Sequence, residues 1–580
     1  MSTLNRALEN AAQAADCGLR FLDRRERETW VSWSEIYESS LAVAGGLRDA
    51  GVAWGDRIVL IYPTEPEFFE AFFGVLMCGA VPVPVYPPIR LGRLDEFHRR
   101  TARMIQAVGA PLVLCDRLVR RVIGEAVLRA GPRLGCRTLA ELPTGVEFAA
   151  EVAPEDLALI QFSSGTTMAP RPVVLTHQAV MAQARILNGF WPDTAEVQHS
   201  GVSWLPLYHD MGLIGCVFPA LERPATLSLI SPESFVSHPA IWLRTISRYR
   251  ATVSPAPNFA YGICVEKIRD EDLKGVDLSC WRVALNGAEA VAPAVLRSFT
   301  ERFARWGFRR EALTPVYGLS EAALAVTFAE LDRPFTTRRF LRRSLSDRGE
   351  AVEDEAGVEL VSVGTALPGF EVSIRDAKGG VLKSRREGRV WVAGPSLMKG
   401  YHGLPKETQA VLENGWLDTG DRGFFCDGDL YLTGRAKDII VLRGRNHSPV
   451  EIEQIADQQP GVRKGCSAAV SCLADGGVRE EIILFVERRK DATAQQSQDI
   501  PEICRREVLA STGLALDHVF VLEPGTLPRT SSGKIRRQET LGHHLLGELT
   551  SPAPPSKLGL VKIVARSVKA VFELNRSRQG

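Results

Sequence analysis

Short apolar runs separated by amphipathic stretches set the pattern of the first part of the chain. Arg57-Ile58-Val59-Leu60-Ile61-Tyr62 and Leu112-Val113-Leu114-Cys115 read as strands, and Glu67 to Cys78 reads as an apolar-faced helix. Ser32-Trp33-Ser34-Glu35 has capping-box spacing, which predicts a helix running toward Gly45-Gly46. Val81-Pro82-Val83-Pro84-Val85-Tyr86-Pro87-Pro88 reads as an extended segment. Strands that alternate with helices point to an α/β fold with parallel sheets.

The pattern changes between Thr336 and Glu359. Arg338, Arg339, Arg342 and Arg343 are followed by Glu350, Glu353, Asp354 and Glu355 with little apolar periodicity, so this stretch reads as an inserted loop or a partly ordered arm. Strands return at Arg389-Val390-Trp391-Val392. Gly434-Arg435-Ala436-Lys437-Asp438 lies between two strand-like runs and looks like an interdomain joint. The ~100 residues that follow have the size of a small α+β domain. The expected division is 1–434, 435–548 and a tail over 549–580. In the tail, Leu560, Val561, Val564, Val568, Val571 and Phe572 share one helical face beside Lys562, Arg566 and Lys569. Such a helix suits peripheral contact with an anionic membrane surface, or docking on the protein itself or on a partner.

Composition narrows the classes. At 580 residues the chain is too long for one core, so two or more domains are expected. A net charge of +1 supplies no global field toward nucleic acid. The eleven cysteines include no C-x-x-C pair and no zinc spacing, which fits reduced thiols in a cytoplasmic protein. The N-terminus lacks the order of a signal peptide. The longest uncharged apolar stretch, Met211 to Leu221, is far shorter than the ~20 residues of a membrane span.

Candidate chemistry lies in five runs. Gln161-Phe162-Ser163-Ser164-Gly165-Thr166-Thr167 follows the strand-like Leu157-Ala158-Leu159-Ile160 and precedes a helix capped near Thr176 or His177. Four hydroxyls around one glycine, with Arg171 close by, suit a polyanion, because glycine lets backbone N–H groups form a concave nest. The Walker A spacing is absent. The second run is Trp204-Leu205-Pro206-Leu207-Tyr208-His209-Asp210-Met211-Gly212-Leu213-Ile214-Gly215, where glycines beside a histidine allow close approach of a ligand. A lone histidine beside apolar residues is more often a satisfied core residue. Third, Val283-Ala284-Leu285-Asn286-Gly287-Ala288-Glu289 is a strand ending in a plausible ligand edge, a little after Ala256-Pro257-Asn258-Phe259. Fourth, Thr314-Pro315-Val316-Tyr317-Gly318-Leu319-Ser320-Glu321 offers a ring to stack a base and a carboxylate to hold a metal. Last, Leu527-Pro528-Arg529-Thr530-Ser531-Ser532-Gly533-Lys534 reads as a loop ending in a lysine.

Together these runs resemble the adenylate-forming superfamily of acyl-CoA synthetases, nonribosomal adenylation domains and luciferases, from roughly Leu4 to Gly547. Within it the chain is most similar to the fatty acyl-AMP ligases, on Val85-Tyr86-Pro87-Pro88, His209-Asp210-Met211-Gly212, Ala256-Pro257-Asn258-Phe259, Gly444-Arg445-Asn446-His447-Ser448-Pro449 and the position of the charged insertion. The resemblance implies a large N-terminal lobe of α/β subdomains plus a distorted β-barrel, and a smaller mobile C-terminal α+β domain. It implies ATP and Mg2+ as cofactors, a fatty acid as substrate and the phosphopantetheine of an acyl carrier protein as acceptor. A long-chain fatty-acid–CoA ligase and a degenerate acyl-adenylate or carrier-binding module remain the alternatives.

Carried over by position, the resemblance assigns Ser163, Ser164, Gly165, Thr166 and Thr167 to the phosphates, with Thr166 near the metal. Gly287, Ala288 and Glu289 would edge the adenine, and Tyr317 and Gly318 would cover its face. Asp421 and Arg435 would hold the ribose, and Glu321 the Mg2+. His209, Gly212 and Asn258 would line the acyl end. Lys437 matches the hinge and Lys534 the catalytic lysine; His209 and Glu321 complete the catalytic set. The family usually has Gly, Lys and Gly near Met168, Arg171 and Pro172, so this loop is expected to be stiffer, and Pro172 lacks a donor.

Overall fold

The computed structural model describes residues 3–88, 94–163, 170–195, 197–442, 445–473, 480–530, 533–551, 565–567 and 569–571. The large lobe is organised by a nine-stranded sheet whose centre is parallel. Val253–Pro257, Val283–Gly287 and Leu313–Gly318 lie side by side there, with Val253–Pro257 also next to Gly201–Ser203. These strands are buried on both faces, which is why Val283-Ala284-Leu285 reads as continuous apolar sequence rather than as an alternation. A second, four-stranded parallel sheet holds Arg57–Ile61, Val81–Pro84 and Leu112–Cys115.

Several local expectations hold in detail. Ser32 caps the helix Trp33–Asp49, with Ser32 and Glu35 bonded reciprocally. That helix passes through Gly45 and Gly46 because both lie against the chain at Pro143–Val146. A Cβ on Gly45 would stand 2.1 Å from the Val146 carbonyl oxygen. Close packing there outweighs the poor helix propensity of glycine. The helix over the next apolar face is Pro66–Met77.

Two expectations are corrected. The hydroxyl-rich run does not pass directly from strand to helix. Leu157–Phe162 and Pro172–Thr176 form an antiparallel hairpin, joined on its far edge by Gly400–Tyr401, and Thr176 then caps the helix His177–Phe190. Pro172 is tolerated as the first residue of its strand, where its missing N–H breaks no ladder bond. The charged stretch after Thr336 is not a loose arm. Thr337–Phe340 pairs with Val358–Val361, and a helix Arg342–Arg348 rises between them. Phe340 anchors this hairpin against Phe424 and Tyr431, with ring centroids 4.9 and 5.5 Å away. One buried aromatic does what an apolar stripe would have done, and leaves no periodic signal.

An antiparallel sheet built around Glu371–Arg375, Gly388–Ala393, Trp416–Cys426 and Asp429–Arg435 forms the half-barrel. Beyond it, a smaller C-terminal unit carries Val462–Leu473, Glu480–Arg488 and His518–Leu522, packed under the helices Pro449–Asp457 and Ala494–Thr512. In the tail, Ser567 accepts the Gly124 N–H at 2.6 Å, and Val571 is buried in the core beneath the helix Arg117–Ala130. The described part of the tail therefore lies on the large lobe. No described helix is long and apolar enough to cross a membrane.

Candidate active site

The carboxyl ends of the parallel strands open into a cleft of about 1920 Å³ lined by both units. This is where open α/β sheets place ligands, because loops leaving adjacent strands diverge there. Asn258 follows one strand, Gly287 ends the next, and Tyr317 and Gly318 end the third. Gly287 and Gly318 are held by contact. A Cβ on Gly318 would stand 1.8 Å from the Leu324 carbonyl oxygen, and one on Gly287 2.6 Å from Val316 Cγ2. Gly212 is under the same constraint, 2.2 Å from the Pro206 carbonyl oxygen. Ala288 adopts φ +67°, a left-handed conformation that costs a non-glycine residue of the order of 1 kcal/mol and turns the chain toward the cleft.

Three hydrogen-bonded groups line this cleft. In the first, Tyr317 Oη donates to Asp421 Oδ2 at 2.8 Å, and Arg435 Nε meets Asp421 Oδ1 at 3.1 Å. Burial and the Asp421 carboxylate push the Tyr317 phenol far up, so it stays a donor. The Asp421 charge outweighs desolvation in raising the Arg435 guanidinium, which therefore stays cationic.

In the second group, Tyr401 Oη donates to Glu321 Oε1 at 2.9 Å. The Arg171 guanidinium lies 5.1 Å from the Tyr401 ring centroid and donates to its hydroxyl at 3.4 Å. The backbone of Arg171 is tied to Ser163, whose N–H donates to the Arg171 carbonyl at 2.9 Å. The base of the hydroxyl-rich loop is thus linked to Glu321 through Tyr401. Ser164, Gly165, Thr166 and Thr167, with Met168, lie outside the described residues.

In the third group, His209 Nδ1 stands 2.6 Å from Asp210 Oδ1, and the Ser320 hydroxyl donates to Asp210 Oδ2. Burial would raise the Asp210 carboxyl, but the His209 ring, the Ser320 hydroxyl and the Lys534 ammonium bring it down to about 2. His209 Nε2 is buried without a hydrogen-bond partner. An orphaned ring nitrogen at a cleft wall is a site waiting for a polar ligand atom.

Asn258 is occupied structurally: its Oδ1 accepts from Ala292 N at 3.2 Å and from Asn286 Nδ2 at 3.4 Å. Glu289 accepts the Phe259 N–H at 2.6 Å, and burial holds its carboxyl above the ordinary range. Lys534 reaches the same cleft from the small unit, and its N–H donates to Thr530 Oγ1 at 3.0 Å. Burial and the nearby Arg435 lower its ammonium, while Asp210, Glu289 and Asp421 work to keep it charged. Lys437 is exposed, next to Asp438, whose carboxylate receives Arg537 Nη1 at 2.9 Å.

Arg171 was marked by the sequence as the loop's basic residue, but its partner Tyr401, and Ser320, escaped sequence reasoning. Tyr401 sits in a two-residue strand far from any motif, and nothing local marks it. Ser320 lies inside the Glu321 run, but its partner Asp210 is 110 positions away.

Residues 8–402 match the model of the AMP-binding enzyme family. The chain belongs to that family. Among relatives, it is 32% identical over 560 residues to the medium-chain-fatty-acid–[acyl-carrier-protein] ligase JamA of Moorena producens, covering 93% of this chain and 94% of that protein. It is also 32% identical over 560 residues to a putative acyl-CoA synthetase of Caulobacter vibrioides, covering 94% and 96%. A solved structure from a study of fatty acyl-adenylate ligases of E. coli and L. pneumophila superposes with a TM-score of 0.88 at 33% identity, covering 94% of this chain and 98% of the other.

Proposed function

We propose that this family member activates a fatty acid with ATP and then passes the acyl group to the phosphopantetheine thiol of an acyl carrier protein in the cytoplasm. The observation that carries the reading is the placement of Lys534, which comes from the small unit into a cleft already holding Asp210, Glu289, Asp421 and Arg435. A carboxylate oxygen attacks the α-phosphorus of ATP, a P–O bond forms, and the bond to the bridging oxygen breaks to release pyrophosphate. Two anions must approach each other, so the protein's task is alignment and charge neutralisation.

The Lys534 ammonium would lie between the acyl carboxylate and the α-phosphate and weaken their repulsion. His209 Nε2 would contact the carboxylate end. Leu187, Trp204, Leu324 and Phe328 supply apolar wall for the acyl chain. Tyr317 would lie against the adenine, while Asp421 with Arg435 would take the ribose hydroxyls. The Glu321 carboxylate, oriented by Tyr401, suits a hard divalent cation, since a carboxylate accepts at several lone-pair sites and one bond uses only one of them. Mg2+ held there would offset charge on the departing pyrophosphate.

The similarity to JamA supports a carrier-protein acceptor. So does the insertion, where Arg342 bonds the Glu451 carboxylate and the Ser511 carbonyl of the small unit. Such ties would resist a swing about Lys437 that exposes a second face to free CoA. The competing reading, a fatty-acid–CoA ligase, draws on the similarity to the Caulobacter protein. Amino-acid adenylation is disfavoured because the Asp210 carboxylate is already engaged by Ser320, His209 and the Met211 N–H.

Mass spectrometry of acyl-AMP across chain lengths, with free CoA or a holo carrier protein as acceptor, tests the proposal. Acyl-AMP that discharges onto the carrier supports it. Rapid acyl-CoA formation would instead assign the CoA-ligase reading, and no ATP consumption with any fatty acid would remove catalysis.

A further inference from the structure

Away from the cleft, Asp95, His98 and Glu125 bring one imidazole and two carboxylates together, with their ligand atoms all within 4.8 Å of one another. Asp95 and His98 belong to the helix Leu94–Ala107, and Glu125 belongs to Arg117–Ala130. His98 is 1% exposed, and its Nε2 lies 2.7 Å from the Val122 carbonyl oxygen. A carbonyl only accepts, so Nε2 carries the hydrogen. In the neutral ring, Nδ1 then presents a lone pair. That nitrogen is buried, makes no hydrogen bond, and stands 3.6 Å from Glu125 Oε2.

A lone pair facing carboxylates is repulsive unless a proton or a metal cation lies between them. Among the described residues, Arg129 reaches Glu125 Oε2 at 3.4 Å from a side chain that is 46% exposed, a weak surface pair. Among the described residues a second cluster of this type, Glu353, Cys426 and Asp427, is already neutralised, since Arg338 and Arg385 reach both of its carboxylates.

We propose that Asp95, His98 and Glu125 form a divalent-cation site that pins the two helices together, with Zn2+ as its preferred ion. One neutral imidazole with two carboxylates favours Zn2+ over Mg2+ or Ca2+, and three protein ligands leave a position for water. The ring nitrogen opposite the metal donates to a backbone carbonyl, which fixes the tautomer and the ring plane as in established histidine sites. The site is independent of the proposed catalytic reading. It nonetheless stands behind the cleft wall, since Phe97 and Arg100 of the same helix line the cleft. Arg100 also pairs with Glu539 of the small unit.

The test is calorimetric titration of the chelator-treated 580-residue chain with Zn2+, supported by the absorption spectrum of the Co2+ form. One ion is expected per chain, with binding abolished in His98→Ala and weakened about tenfold or more in Asp95→Asn. Asp95 is exposed, so its variant decides the matter if His98→Ala does not fold. Binding should persist in Glu321→Gln, which separates this site from the cleft. No binding by the wild type, wild-type affinity in Asp95→Asn, or loss only in Glu321→Gln would each overturn the proposal.

Discussion

The Tyr317 hydroxyl and the Asp421 carboxylate, 104 positions apart in the chain, meet in one buried hydrogen bond of 2.8 Å. The bond joins the end of a central parallel strand to the half-barrel, and Arg435 holds the other carboxylate oxygen. Deleting the phenol oxygen leaves Asp421 under-solvated in a site where that costs about 1–3 kcal/mol. If Asp421 grips the ribose equally in ground and transition states, Tyr317→Phe raises the KM for ATP roughly tenfold with kcat nearly unchanged. Steady-state pyrophosphate release measures both, and a fall in kcat at constant KM would reject this role.

Lys534→Ala removes the one cation that the small unit is proposed to deliver to the reacting groups. Acyl-adenylate formation should fall by about 10²–10³, the usual loss when a single preorganised charge is removed, while ATP still binds. Pyrophosphate exchange at the wild-type rate would contradict the assignment.

Gly318→Ala puts a methyl group 1.8 Å from the Leu324 carbonyl oxygen, so the turn carrying Ser320 and Glu321 must move. Activity is expected to drop at least tenfold, since a displacement of about 1 Å costs around that or more. A fully active Gly318→Ala enzyme would mean that the turn does not position the chemistry.

Arg342→Ala cuts the insertion's bonds to Glu451 and Ser511. Acyl-CoA formation from free CoA should rise several-fold relative to carrier loading, with acyl-AMP formation unaltered. Equal ratios in mutant and wild type would show that these bonds do not restrain the small unit.

His177 gives a pH signature. Its Nδ1 accepts the Leu4 N–H at 3.1 Å, and burial outweighs Asp156 in bringing the ring down to about 4. The unfolded ring titrates near 6.5, so between these values the unfolded chain binds more protons. This contribution is whole above about pH 6.5 and is lost as pH falls toward 4, on the order of 3 kcal/mol in all. Denaturation midpoints of wild type and His177→Gln, compared from pH 7 to 4, should converge as pH falls, and parallel curves would refute the linkage.

Much of the fold was written locally. The capping box at Ser32, the apolar run over Leu112–Cys115 and the cap at Thr176 depend on neighbours within a turn or two, and they appear in the structure as read. The strand Pro172–Thr176 was missed because it opens on a proline next to a hydroxyl-rich run that reads as loop, and one of its partners, Gly400–Tyr401, lies far along the chain. The ordered insertion was missed for the same reason: Phe340 is its anchor, and the rings it packs on belong to strands more than eighty residues later.

By itself the sequence determined the fold class, the runs that carry chemistry and the family, because periodicity, capping and short motifs are properties of neighbours. Only the tertiary structure decided that Tyr401 orients Glu321, that Ser320 engages Asp210, and that Lys534 enters the cleft beside Asp421. Each of those contacts joins residues far apart in the chain. A hydrogen bond, unlike a helical stripe, leaves no periodic trace at either end.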